Sequence, residues 1–185
     1  QTEAKIDLNG NILLPDIGMF FASGYTFSSL KNRLNEFLGK SFSGLIDSPQ
    51  RSFLDVSLTQ LRPVKITVLG ESNTPGPHLV GGFATVLNAL YSSGGIKTSG
   101  SLRNIQIFRN NRLKKTIDLY NYITKGSLDG DIRLMNNDII FIPVRENTVE
   151  LNGTVRNASI YELKTGEGIN EILNYSGGLN ANSSS

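Results

Sequence analysis

The fold of this chain is decided by Ile66–Lys97, ITVLGESNTPGPHLVGGFATVLNALYSSGGIK, which recurs in altered form as Val149–Asn180, VELNGTVRNASIYELKTGEGINEILNYSGGLN. The two stretches lie 83 positions apart and align without a gap. The glycines that match are Gly70 with Gly153 and the doublet Gly94–Gly95 with Gly177–Gly178. Apolar positions follow the same register at helical spacing. A shared turn, doublet and apolar pattern indicate a duplicated module.

The second copy of the module ends at Ser185, before it reaches the length of the first. The offset predicts that a complete second copy would run about 40 residues further, so we expect the sequence to be a fragment of a longer protein. Residues 145–185 alone are near the size at which a single core usually fails. We therefore expect this half-module to pack on the first module or on another chain.

Composition favours a globular protein made of small domains. The chain has 185 residues, of which 38% are hydrophobic and 18% charged, and a formal net charge of +2. This charge is too small to indicate nucleic acid as a partner. A basic cluster around one predicted hairpin, formed by Arg103, Arg109, Arg112, Lys114 and Lys115, is most simply a solvated face.

Catalytic and metal-binding chemistry find little support in the sequence. There is no cysteine, and the single histidine, His78, lies beside Pro75 and Pro77 in a predicted exposed turn. The pair Asp129 and Asp131 lacks the further ligands of a calcium loop, and the glycine doublets lack the spacing of a phosphate-binding loop. We therefore predict no enzyme activity, no cofactor and no metal. No run of 18 apolar residues is present.

The first 63 residues predict the order strand, strand, helix, strand. A hairpin is indicated around Asn9–Asn11, and Thr26 or Ser28 can cap a helix that Gly39 ends in the left-handed conformation. Alternating residues in Phe53–Leu58 then predict a strand. Five phenylalanines are assigned to core positions, namely Phe20, Phe21, Phe37, Phe53 and Phe108.

The first copy of the repeat predicts a β-grasp-like module. A strand at Val64–Leu69 and a proline-glycine turn lead to a helix capped by Thr85, with Val86, Leu87, Ala89 and Leu90 facing inward. A hairpin over Asn110–Asn111, a helical turn before Gly126 and a buried strand at Ile139–Val144 complete it. Tyr91, Tyr120 and Tyr122 are candidates for stacking or subunit contact.

Several stretches resemble one protein family in its own order of motifs. Gly10–Gly18, with the pattern G-x-I-x-L-P-x-I-G, and Ser23–Thr26 resemble the N-terminal signature of bacterial polysaccharide export proteins of the Wza type. Leu61–Glu71 is similar to that family's junction with its first soluble-ligand-binding β-grasp (SLBB) domain. The closing strand, Asp138–Pro143, has the family's D-x-I-x-I-P pattern.

The resemblance implies an α+β chain with three parts: an N-terminal polysaccharide-export domain (1–63), a first SLBB module (64–144) and a truncated second SLBB module (145–185). It implies the periplasmic part of an outer-membrane channel subunit that exports capsular or exopolysaccharide by assembling into a homo-oligomeric ring. The implied partners are the polysaccharide, an inner-membrane co-polymerase or tyrosine autokinase, and the outer membrane through regions missing here. The alternative is a soluble glycan- or small-ligand-binding module that forms no pore.

For contact with the polymer or with a neighbouring subunit, we predict four basic residues, Arg103, Arg109, Arg112 and Lys115.

Overall fold

The computed structural model of the chain describes residues 3–49, 51–59 and 61–180. Helices and sheets are both present, which confirms the predicted α+β class. The chain divides into two compact units, Gln1–Thr59 and Gln60–Ser185.

The first unit opens with a two-stranded antiparallel sheet of β1 (Asn11–Leu14) and β2 (Gly18–Phe21). The turn that joins these strands is Pro15–Ile17, whereas the turn predicted around Asn9–Asn11 is present but is not flanked by two full strands. Proline cannot donate to a ladder and so falls in the loop, where Asp16 adopts a φ of 62°. The Asn9–Gly10 turn forms only an isolated bridge between Ile6 and Ile12.

Helix α1 (Phe27–Gly39) begins as predicted at Thr26, whose hydroxyl accepts a 3.3 Å hydrogen bond from the amide of Ser29. Its buried leucines pack with Phe20, Ala22 and Leu45 to form the core of the unit. The predicted left-handed Gly39 was wrong, because the helix runs through this residue to a right-handed cap at Lys40. Glycine is needed there for space, since a Cβ would lie 2.7 Å from Cγ2 of Ile46.

The strand predicted at Phe53–Leu58 was also wrong, because residues 51–59 form no strand. The alternation of apolar residues is nevertheless real. Leu54 and Val56 pack against the core of the first unit, whereas Phe53 is 81% exposed. One-sided packing of an extended segment produces the same pattern as a strand when no neighbouring edge offers hydrogen bonds.

The second unit begins with five strands, β3 (Val64–Gly70), β4 (Gly76–Val80), β5 (Ile105–Arg109), β6 (Arg112–Ile117) and β7 (Ile139–Ile142), and two helices, α2 (Val86–Ser92) and α3 (Tyr120–Lys125). The strands form one sheet in the order β4-β3-β7-β5-β6. Strands β3 and β7 are parallel; β3 also pairs with β4 in one hairpin, and β7 pairs with the β5–β6 hairpin on its other side. This is the predicted β-grasp arrangement, in which the sheet clasps a helix.

Packing of α2 on this sheet forms the main core. Its inward face consists of the four residues predicted from the sequence, and it meets fully buried isoleucines from β3, β5 and β7. The β5–β6 hairpin turns at Asn110 and Asn111, both at positive φ, as predicted. Phe108 was wrongly assigned to the core. It is half-buried, because successive residues of a strand point to opposite faces of the sheet and Ile107 takes the core face.

The rest of the described chain repeats the opening of this module as β8 (Thr148–Leu151), β9 (Ser159–Glu162) and α4 (Ile169–Tyr175). Helix α4 begins and ends 83 positions after α2. The bridge between Ser72 and Ile96 recurs between Val155 and Leu179, also 83 positions later. Both glycine doublets adopt positive φ. These matches confirm the duplication.

Alanine substitutions at Gly70 and at its counterpart Gly153 test why the first copy needs glycine at this position. Gly70 and Gly153 have φ of +81° and +100°, but a Cβ on Gly70 would lie 2.0 Å from the carbonyl oxygen of Ile142, whereas one on Gly153 would meet nothing within 4 Å. Both variants to alanine carry a left-handed backbone penalty of roughly 1–2 kcal/mol. We expect Gly70→Ala to lower the free energy of unfolding by about 2 kcal/mol more, measured by urea unfolding. Equal losses would contradict this close approach.

Candidate functional site

The junction between the two copies of the module is organised around the guanidinium of Arg103, which lies just before β5 and is 5% exposed. Its Nε and Nη2 atoms donate to Oδ2 of Asp118 at 3.1 and 3.0 Å. Both Nη atoms also donate to the carboxylate of Glu167, and Nη1 donates to the carbonyl of Glu162 at 3.1 Å. Arg103 therefore bonds to its own module and to the second copy at once.

Two tyrosine rings enclose the same guanidinium. Its central carbon lies 4.5 Å from the ring centroid of Tyr120 and 5.1 Å from that of Tyr175. The two rings meet edge to face, with centroids 4.9 Å apart. Cation–π contacts strengthen when a cation is withdrawn from water, as Arg103 is here. Of the three tyrosines that the sequence singled out, Tyr120 thus belongs to the junction, while the hydroxyls of Tyr91 and Tyr122 lie 3.3 Å apart elsewhere.

Glu162, at the end of β9, makes a second connection between the modules. Its carboxylate accepts hydrogen bonds from the Ser101 hydroxyl at 2.5 Å and from the Leu102 amide at 2.8 Å. Its own amide donates to the Tyr120 hydroxyl at 2.6 Å. The half-module therefore packs on the first module, which confirms one of the two predicted alternatives.

The charges at the junction stabilise one another. The hydrogen bond from Arg103 lowers the pKa of Glu167 from its ordinary 4.5 to about 2. Burial raises the pKa of Asp118, but hydrogen bonds from Arg103 and Lys164 outweigh this effect, so the pKa lies below its ordinary value. Burial also opposes the charge of Arg103, and its bonds to Glu167 and Asp118 raise its pKa nonetheless. All these groups remain charged at neutral pH.

Two clefts flank Glu162 at this junction. The Thr116 cleft has a volume of about 460 Å³ and includes Asn104, Thr116, Glu146, Asn147, Lys164 and Thr165. The Lys97 cleft has a volume of about 440 Å³ and includes Ile96, Lys97, Thr98, Arg145, Ser159 and Ile160. In the Thr116 cleft the Ser101 hydroxyl is bonded to the Glu162 carboxylate, and both linings mix polar and apolar side chains, an arrangement that can hold a small molecule.

The four predicted contact residues do not form one surface. Arg103 is buried in the junction, and Arg109 pairs with the carboxylate of Asp138, to which its Nε and Nη2 both donate at 2.8 Å. Arg112 is exposed on β6, and Lys115 is half-buried beside Gly130. Their contact with a polymer or another subunit stays a prediction, and the structure adds internal ion pairs for Arg103 and Arg109.

The sequence did not reveal Glu162, Glu167 and Tyr175 as junction residues. In the first copy the same three positions are Leu79, Ala84 and Ser92. A change from apolar or small residues to carboxylates and a phenol, inside an otherwise matching repeat, was the available signal. It marks the places where the second copy acquired a role that the first copy lacks.

The described residues contain no group of three potential metal ligands. His78 lies half-buried on β4, with its Nε2 atom 2.8 Å from the carbonyl oxygen of Thr74, so its assignment to an exposed turn was wrong. Across the part of the chain that the structure describes, none of the helices has the length and apolar character required to cross a bilayer.

The Arg109–Asp138 pair yields a stability prediction. Asp138 is fully buried and also accepts a 2.8 Å hydrogen bond from the Met135 amide, so Arg109→Met leaves a buried carboxylate without its counter-charge. We expect a loss of about 3–5 kcal/mol in urea unfolding. The exposed neighbour change Arg112→Met is the matched control and should cost less than about 0.5 kcal/mol. Similar losses in both variants would contradict the assigned role of the pair.

The depressed pKa of Glu167 makes docking of the half-module dependent on pH. Because the pKa is lower in the docked state, the stabilisation is complete above pH 4.5 and is lost as pH falls towards 2. The fall of the pKa corresponds to about 3 kcal/mol. NMR shifts of the β8–β9 amides should report undocking in this range for the native chain, and Glu167→Gln should be weakened already at pH 7.

The exposed Glu150→Gln change on β8 is the control for this titration and should follow the native chain. A Glu167→Gln variant that shows the native pH profile would contradict the role of this carboxylate.

Comparisons with known proteins agree with this architecture. A family model described as SLBB domain matches residues 64–142, and a second SLBB domain model matches residues 148–185. Over 163 residues the chain is 29% identical to the polysialic acid transport protein KpsD of Escherichia coli, an alignment that covers 86% of this chain and 28% of that protein.

Over 89 residues the chain is 36% identical to the exopolysaccharide production protein ExoF of Rhizobium meliloti (strain 1021), an alignment that covers 48% of this chain and 20% of that protein. The chain thus spans 28% or less of the length of these relatives. With two SLBB domain matches and this similarity, the chain belongs to the SLBB-domain polysaccharide export proteins of the Wza type.

Proposed function

We propose that this chain is the periplasmic part of an outer-membrane channel subunit that exports capsular or exopolysaccharide. The observation that carries the proposal is the similarity to a polysialic acid transport protein along 86% of the chain. The subunit acts without catalysis, by assembling into a homo-oligomeric ring. Its three parts are the N-terminal domain of residues 1–63, the first SLBB module of residues 64–144 and the start of a second in residues 145–185.

The junction supports a mechanical role. A protein that guides a hydrated polymer needs walls of fixed shape. Here the hydrogen bonds of the buried Arg103 guanidinium hold the second copy in place on the first. Arg103 forms ion pairs with both Asp118 and Glu167. Buried, fully paired groups of this kind specify one geometry, as expected for a structural element.

Ring formation supplies the burial that small modules lack. Within this proposal, Arg112 and Lys115 remain the candidates for contact with polymer or with the neighbouring subunit, because Arg103 and Arg109 are engaged internally. The further partners are an inner-membrane co-polymerase or tyrosine autokinase and the outer membrane. We place the assembly at the periplasmic face of that membrane.

A second candidate function is a glycan- or small-ligand-binding module that forms no pore. The two clefts at the junction favour it, since their volumes of about 460 and 440 Å³ lie within the range of small-ligand sites. Electron microscopy of the full-length protein separates the two: a ring with a wide lumen supports export, and a monomer supports the binding module.

The export role predicts the outcome of a deletion and of a charge reversal. Deleting the gene in a strain without a paralogue should abolish surface polysaccharide and leave polymer inside the cell, measured by antibody staining and fractionation. Arg112→Glu with Lys115→Glu should reduce surface polymer at least about tenfold if these residues contact polymer or subunit. Lys5→Glu with Lys125→Glu makes the same change in charge at other exposed sites and should have no effect.

Normal export in the deletion strain would overturn the proposed function. Normal export in the Arg112 and Lys115 variant alone would reject only the contact assigned to these two residues.

A further inference from the structure

The Lys97 cleft brings together two cations that are not held in ion pairs within the described part of the chain. Lys97 and Arg145 both line it, and neither forms an ion pair within 4.0 Å in the described part of the chain. One carboxylate, Glu162, lines the same cleft; it accepts hydrogen bonds from the Ser101 hydroxyl and the Leu102 amide, which leave its negative charge in place. Two cations and one carboxylate give the lining a net positive charge at the module junction.

Backbone hydrogen bonds hold the segments that carry Lys97 and Arg145 next to each other. The amide of Gly100 donates to the carbonyl of Lys97 at 2.9 Å and closes a turn, and the amide of Arg145 donates to the carbonyl of Ser99 at 2.9 Å. Glycine is required at position 100, because a Cβ there would lie 2.5 Å from Cγ2 of Ile96. The nearby acidic group, Glu71, accepts a 2.5 Å hydrogen bond from the Ser99 hydroxyl at this turn.

Part of the lining comes from the second copy. Ser159 and Ile160 of β9 line the cleft together with residues of the first module, so the site exists only when the second copy is docked. Ile96, Leu102 and Ile160 offer apolar surface, and Thr98 and Ser159 offer hydroxyls. A sugar ring has an apolar face and a hydroxyl rim, and an acidic sugar adds a carboxylate. The cleft provides a group for each of these.

The Thr116 cleft differs in its charges. Its cation Lys164 lies 2.6 Å from the carboxylate of Asp118, and Arg103 is bound to Asp118 and Glu167. Glu146 adds a negative charge. The two clefts are similar in volume, but the lining of the Lys97 cleft has two cations to one carboxylate, whereas that of the Thr116 cleft has two cations, already paired, and two carboxylates. The Lys97 cleft is therefore better suited to an anion.

We propose that the Lys97 cleft binds an acidic saccharide segment, with its carboxylate between Lys97 and Arg145 and its ring against Ile160. A volume of about 440 Å³ is sufficient for a short segment of a polymer. The identity of the ligand as part of the exported polymer rests on the proposed function. Because the site spans both copies, a bound segment also stabilises their docking.

The test is titration of the chain with a galacturonic acid trimer at about 0.15 M salt, with maltotriose as the neutral probe. Amide NMR shifts should saturate for the acidic trimer and concentrate at Thr98, Gly100, Ser159 and Ile160. Lys97→Gln with Arg145→Gln should weaken binding about tenfold or more, since each removed cation costs a charged hydrogen bond. Lys114→Gln with Lys125→Gln removes the same charge from exposed positions outside both clefts and should leave affinity unchanged.

The proposal is overturned by equal binding of maltotriose, by shifts that concentrate elsewhere, by equal weakening in both double variants, or by no saturable shift with the acidic trimer. Any of these results together with loss of export in the deletion strain would reject the site and leave the proposed function standing.

Discussion

The buried positive charge of Arg103 is the constraint on which the arrangement of the two modules depends. A guanidinium that is 5% exposed requires counter-charges and hydrogen-bond acceptors, and these come from both copies of the repeat. Removing a charged group from water is costly unless it is paired. The second copy therefore supplies Glu167 and the Glu162 carbonyl to a cation of the first, and its position follows from the need to satisfy that cation.

Duplication followed by divergence explains how the junction arose. Helices, glycine doublets and turn hydrogen bonds match between the copies because each preserves the same backbone path. Glu162, Glu167 and Tyr175 contact the first module, whereas two of their counterparts, Leu79 and Ser92, are exposed. The shared backbone path thus accounts for the fold of each copy. The residues that differ between the copies account for their association and for the two clefts at the junction.

Local signals predicted most of the fold. The inward face of α2 followed from helical spacing, and the turn at Asn110–Asn111 followed from tolerance of positive φ. The strand prediction for Phe53–Leu58 was wrong because a strand needs a neighbouring strand to pair with, and the spacing of apolar residues does not show whether one is present. The junction could not be predicted either, since Arg103 meets Glu167 across 64 positions of sequence, and only tertiary packing distinguishes a buried cation from a solvated one.

The claim that Arg103 holds the two copies together is tested most directly by measuring the distance between them with and without the Arg103 charge. The chain has no cysteine, so Lys114→Cys and Asn152→Cys allow spin labels to be placed on exposed positions of the first and second copies. Double electron–electron resonance should give one narrow distance distribution for the native chain and for Arg112→Met, and a broad one for Arg103→Met. A narrow, unchanged distribution in Arg103→Met would contradict the claim that this residue holds the modules together.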